Sequence, residues 1–115
     1  MAMKQDLQHV VSDAPRVMVV DGSRLVRKLI GDTLLRDLPN AEVIGCGGLE
    51  EARAVLANGV VDLVTTALVL PDGDGLALAR MVRETAGQAY VPVIVVSGNA
   101  QEALETRAFT EDITD

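Results

Sequence analysis

Apolar residues in this chain fall into short blocks, and the spacing within the blocks alternates between two kinds. The segment Arg16–Val20 (RVMVV) is a β-rich run that stops abruptly at Asp21 and Gly22, which predicts a buried strand. Ser23 then stands where an N-cap belongs, and Leu25, Val26, Leu29, Ile30, Thr33, Leu34 and Leu38 recur at helical spacing until Pro39 and Asn40. The pattern predicts an amphipathic helix of about four turns with its stripe turned to the core. Gly31 inside it costs about 1 kcal/mol against Ala, which the stripe offsets.

The same alternation predicts a strand over 41–45, a helix over 49–58, a strand over 61–67, a helix over 75–86 and a fourth strand over 92–96. A short helix over 100–107 leads into the acidic tail TEDITD, which carries no convincing element. Strands that are apolar throughout, each followed by a helix, imply a parallel sheet covered on both faces. The fold class is therefore α/β, doubly wound, and in such folds ligands sit at the carboxyl ends of the strands. The residues to question are Asp21 and Gly22, the loop 45–48, the stretch 67–75, and Ser97 with its neighbours Gly98 and Asn99.

At 115 residues the chain fits one domain over 16–115, preceded by a polar leader over 1–15. Hydrophobic residues make up 49%, enough for a real core, and intrinsic disorder is excluded. No apolar run approaches the roughly 18 residues a membrane span needs, and the leader lacks the apolar stretch of a secretory signal. The expected location is cytoplasmic, with no membrane partner. Cys46 is the only cysteine, so an intrachain disulfide is impossible. Ten Lys and Arg against 17 Asp and Glu give a net charge of −7, and aromatics make up 2%. Direct nucleic-acid binding is not expected, since phosphate neutralisation and base stacking both lack their residues.

Three blocks, VVDGSRLVRKLI, DLVTTALVLPDGDG and PVIVVSGN, carry more than composition. In that order and at that spacing they resemble the receiver domain of bacterial two-component response regulators, the chemotaxis-type receiver family. The resemblance covers 16–107 and implies a flavodoxin-like sheet, here of order 2-1-3-4 with the fifth strand missing from this chain. It also implies a phosphoacceptor aspartate at the end of the third strand, four residues before the proline of a turn closed by Asp-Gly. Pro71, Asp74 and Gly75 match that turn, and Ala67 stands at the acceptor position. The acidic pair that holds Mg²⁺ in the family is represented by Asp21 and Gly22, so only its first member is present. Ser97 matches the Ser or Thr that turns toward the phosphoryl oxygen. The family's lysine would lie beyond residue 115.

Phosphoryl transfer to a carboxylate requires an oxygen nucleophile in line and a hard cation on the phosphate oxygens. Ala67 removes the first and Gly22 weakens the second. The expectation is a pseudo-receiver, not an enzyme, that binds no cofactor and holds Mg²⁺ weakly or not at all. It would act through a protein partner or an attached output domain. Losing like charges about 4 Å apart relieves about 1 to 4 kcal/mol of repulsion, which predicts a stable fold indifferent to Mg²⁺. Two other readings stand beside it: a genuine phosphoacceptor receiver inactivated at Ala67, and a small nucleotide- or phosphate-binding α/β domain using the loop 45–48.

Each residue also has a plainer role. Asp21 is either a carboxylate favoured near helix amides or a residual metal ligand. Ser23 reads as an N-cap, and Ser97 as a switch relic or simply the polar end of a strand. Asp72 and Asp74 belong to a Pro-Asp-Gly-Asp-Gly turn and read as structural, Asp72 keeping a chance of cation contact. The loop 45–48 opens a helix, but G-x-G-x-x-G would need glycine where Glu50 stands. Cys46 reads as a small buried apolar residue, and His9 has no partner suggesting a metal site. If the fourth strand is left unpaired, its edge offers self-association.

Overall fold

A computed structural model describes residues 14–96. Four strands form one parallel sheet: β1 Arg16–Val20, β2 Glu42–Cys46, β3 Leu63–Thr66 and, last in the chain, β6 Val93–Val95. Their order is β2-β1-β3-β6, the order 2-1-3-4 expected from the resemblance. Two short antiparallel strands, β4 Val69–Leu70 and β5 Gly73–Asp74, make a separate hairpin whose tip is Pro71 and Asp72. The helices are α1 Arg24–Asp37, α2 Leu49–Ala57 and α3 Gly75–Glu84.

Strand periodicity divides the sheet into two unlike faces. Met18, Val20, Val64 and Val93 pack with Ala52, Leu56, Leu78, Ala79 and Val82, so α2 and α3 cover one face with the main core. The opposite face carries α1, which begins at Ser23, whose hydroxyl oxygen accepts the Val26 N–H at 3.2 Å. The expected buried stripe on α1 is only partly realised: Gly31 is its one buried residue, and Leu25 and Leu29 remain 65% and 56% exposed. Leu29, Ile30 and Leu34 border an apolar groove with Leu63, Ile94 and Val96, and no described helix closes it. Sheet coverage on both faces thus holds for α2 and α3 and fails over β3 and β6 on the α1 side, among the described residues. Thr65 lies in this groove with its hydroxyl buried and without a described partner.

Element ends differ from the expected ones by one or two residues. The second strand runs Glu42–Cys46 instead of 41–45, the third contracts to Leu63–Thr66, and α3 stops at Glu84. Just before the shortened third strand, Asp62 is tied twice to Arg16: its N–H donates to the Arg16 carbonyl and its carboxylate accepts the Arg16 N–H, each at 2.8 Å. The predicted helix over 100–107 lies outside the described residues.

One buried polar side chain joins loops at the foot of the sheet. Gln88, 2% exposed, accepts the Val61 N–H on Oε1 at 3.0 Å and donates from Nε2 to the carbonyls of Leu56 and Gly59. Those bonds reach across from the segment after α3 to the last turn of α2 and the segment between α2 and β3.

Candidate functional site

Parallel register brings the ends of β1, β2 and β3 to the same edge of the sheet. The Asp21 N–H donates to the Cys46 carbonyl at 3.0 Å, and the Ala67 N–H donates to the Val20 carbonyl at 2.9 Å. Asp21, Gly22 and Ala67, far apart in sequence, therefore meet at one edge, as the fold class predicts. Val96 extends the edge, its N–H donating to the Thr66 carbonyl at 2.8 Å. Ser97, Gly98, Asn99 and His9 lie outside the described residues.

At that edge the chemistry is sparse. Asp21 turns Oδ1 back onto the Ser23 N–H at 2.8 Å, closing a local turn at the start of α1, and Arg27 Nη1 donates to the Asp21 carbonyl at 2.7 Å. Ala67 offers a methyl group and a carbonyl, which accepts the Thr66 hydroxyl at 2.9 Å. Gly22 lies under Pro71: a Cβ there would stand 3.1 Å from both Cγ and Cδ of the proline ring. A side chain at position 22 thus requires the ring to move by a few tenths of an ångström. Gly75 is constrained harder, since its Cβ would stand 2.7 Å from the Ala67 carbonyl oxygen, a backbone atom. The Asp-Gly that closes the turn is tied on its other side by Asp74, whose Oδ1 accepts the Ala77 N–H at 2.7 Å and caps α3.

Asp72 has a larger role than turn geometry. Its carboxylate reaches across to α2, accepting the Leu49 N–H on Oδ1 at 2.7 Å and the Glu50 N–H on Oδ2 at 3.1 Å. The N-cap residue of α2 is Gly48, which has no side chain to do this, and a Cβ on it would stand 2.5 Å from Asp72 Oδ1. The cap comes from the hairpin, and the hairpin is held by the helix. Gly73 packs as closely, since a Cβ there would collide with Leu49 Cδ1. Donation from Leu49 and then Glu50 holds the Asp72 carboxyl below the usual carboxylate range.

These bonds also bear on the loop 45–48. Besides the two amides held by Asp72, the Gly47 N–H donates to Glu51 Oε2 at 2.7 Å. Three of the donors that would cradle a phosphate are thus engaged by carboxylates of this chain, which repel an incoming anion. Cys46 is buried, and burial, followed by the Glu51 charge, pushes its thiol up to about 11 against the opposing pull of Arg27. A thiol so protonated is a packing group, as its sequence context suggests.

Mg²⁺ calls for near-octahedral oxygen ligation anchored by one or two carboxylates. The donor set does not fit that demand: Asp21 is the single carboxylate from the positions of the family pocket, and one of its oxygens is committed to Ser23. Among the described residues no group of three or more His, Cys, Asp or Glu comes together to hold a metal ion. Sequence reasoning located the edge and its gaps but missed the Asp72 cap and Gln88. The signal for Asp72 was present in the two glycines that open α2, which leave its first amides without a local acceptor.

Comparison with known proteins agrees with this geometry. The profile of the response regulator receiver domain matches residues 17–115. A protein-glutamate methylesterase/protein-glutamine glutaminase of Cereibacter sphaeroides is 39% identical over 92 residues, which are 79% of this chain and 24% of that protein. The sensor histidine kinase TmoS of Ectopseudomonas mendocina is 29% identical over 110 residues, 96% of this chain and 11% of the kinase. The chain therefore spans about a quarter or less of these two relatives, both of which carry further domains. Among solved structures, a response regulator receiver protein from Pseudomonas putida superposes with a TM-score of 0.67 at 30% identity, covering 85% of this chain and 81% of that one. Sheet order, the meeting of three strand ends and the matched span lead to one assignment: the chain belongs to the response regulator receiver domain family.

Proposed function

We propose that this receiver domain does not accept phosphate and signals through contacts with a protein partner or an attached output domain. The observation that carries the reading is the end of β3, where the methyl group of Ala67 stands in place of a carboxylate and Gly22 is roofed by the Pro71 ring. With no nucleophile and one committed carboxylate, phosphoryl transfer lacks its acceptor oxygen and its cation ligands. Mg²⁺ binding is accordingly weak or absent, and the domain does no catalysis of its own. Regulation then follows from a partner that prefers one of two conformations.

Gly22 argues against the reading in which one replacement at Ala67 silences an otherwise intact receiver. The engaged amides of Gly47 and of the first turn of α2 argue against a nucleotide-binding domain. The outer edge of β6 is a route for self-association, since no described strand pairs with it; a monomer by light scattering at high concentration overturns that part alone.

The deciding experiment is intact-mass measurement of phosphoryl incorporation from a small acyl-phosphate donor with Mg²⁺. It compares the protein with its Ala67→Asp, Gly22→Asp double variant. No adduct on the protein and one on the variant is the expected result. An adduct on the protein as it stands would show that another residue accepts phosphate and would overturn the reading. Thermal melting adds an independent check: the transition should not move in millimolar Mg²⁺, and a rise of several degrees would contradict the proposal.

A further inference from the structure

On the core-bearing face, α2 and α3 lie side by side and leave a groove of about 460 Å³ between them. Its apolar lining comes from Leu49, Leu56 and Met81, and its walls carry one arginine each, Arg53 from α2 and Arg80 from α3. Both arginines are exposed, and neither forms an ion pair or donates a side-chain hydrogen bond to any described residue. Arg16, Arg27 and Arg83 donate to backbone carbonyls and Lys28 pairs with Asp32 at 3.0 Å, while Arg24 and Arg36 on α1 likewise have no described partner. What sets Arg53 and Arg80 apart is that both line one groove. Two guanidiniums without a partner among the described residues flank this trough and, on a chain of net charge −7, form a local surface opposite in sign to the molecule as a whole.

We infer that this groove is a docking surface for an acidic amphipathic peptide segment of a partner protein. The segment would place apolar side chains against Leu49 and Met81, which are half-buried, and carboxylates on Arg53 and Arg80. Each part of the chemistry fits that occupant. A guanidinium fork matches a carboxylate in two parallel hydrogen bonds, and the flexible Met81 side chain adapts to varied apolar shapes. A small inorganic anion would use the arginines and gain nothing from the apolar lining. Glu84, the last residue of α3, also lines the groove and disfavours a carboxylate beside it. The inference does not depend on whether the strand-end pocket accepts phosphate.

The test is fluorescence anisotropy of the full chain with a labelled peptide of about fifteen residues, in which leucines recur three and four apart among glutamates. Saturable binding is expected, with none to the counterpart carrying lysine for glutamate. An exposed Arg–carboxylate pair is worth at most a few-fold in affinity, and reversing both charges adds repulsion. Arg53→Glu with Arg80→Glu should therefore weaken binding by about tenfold or more, and Arg36→Glu on α1 should leave it unchanged. Melting curves establish that the variants are folded. No saturation, or equal binding by the Arg53→Glu, Arg80→Glu variant, overturns the inference. So does equal binding of a glutamate peptide lacking leucine, which would make the groove an anion site only. Self-association of the chain abolished by the same double variant would assign the surface to a second copy and overturn it likewise.

Discussion

Replacing Gln88 by Leu tests the packing at the foot of the sheet. The change keeps a side chain of similar size but removes one acceptor and one doubly used donor. The Val61 N–H and the Leu56 carbonyl, both bonded to Gln88 in buried settings, lose their partner, and the half-buried Gly59 carbonyl loses a weaker one. A buried backbone group left unsatisfied costs about 1 to 3 kcal/mol. Two such groups give an expected loss of about 2 to 6 kcal/mol, a large part of the roughly 5 to 15 kcal/mol that holds a small domain. At about 4 to 8 °C per kcal/mol, the melting temperature should fall by at least about 8 °C. Urea unfolding read by circular dichroism is the assay, with an unchanged slope showing that the same surface is exposed. Gln88→Glu sharpens the test, because its carboxylate faces the two carbonyls that Nε2 now serves. That variant should be at least as unstable near neutral pH. It should recover in part on acidification, when protonation supplies an O–H donor. A loss below about 0.5 kcal/mol for Gln88→Leu would refute the account and show that water replaces the bonds at little cost.

Gly75→Ala should destabilise by about 1 to 3 kcal/mol, because its Cβ meets the Ala67 carbonyl oxygen; a neutral or stabilising effect in urea melts would show that α3 can shift away. Cys46 should resist a disulfide reagent in the native state and label only on unfolding. Its folded pKa of about 11 lies above the ordinary 9.0, so the folded chain holds the thiol proton through that window. The resulting stability should decline as pH rises from about 9 to about 11, and stability rising over that range would contradict the assignment. Asp72→Asn should destabilise at neutral pH by removing the charged cap of α2. Since the folded carboxyl titrates below the unfolded one, that contribution is complete above the ordinary carboxylate range and disappears as pH falls. The two proteins' stabilities should therefore converge in acid; a difference that persists there would assign the loss to packing instead.

How much of this was legible beforehand depended on whether a feature is local. The alternation of apolar strands and striped helices gave sheet and helices to within a few residues, and parallel topology then dictated that Asp21, Gly22 and Ala67 share an edge. Ser23 was readable because it caps the helix it directly precedes; Asp74 caps α3 in the same way, but in sequence it reads only as part of a turn. Asp72 and Gln88 were not, since their acceptors and donors come from segments some twenty to thirty residues away, which no local pattern encodes. The α1 stripe misled for a related reason: leucines at helical spacing mark a face that wants cover, and Leu25 and Leu29 find none among the described residues.

The Asp72 bridge also bears on how the fold opens. First-turn amides of a helix ordinarily exchange freely with solvent, having no partner within the helix. Those of Leu49 and Glu50 are held from another element, so their deuterium uptake reports whether the β4–β5 hairpin is seated. Helix and hairpin are thereby joined into one cooperative unit, and neither should fray alone. The first turn of α2 is therefore complete only when a residue from beyond β3 is in place.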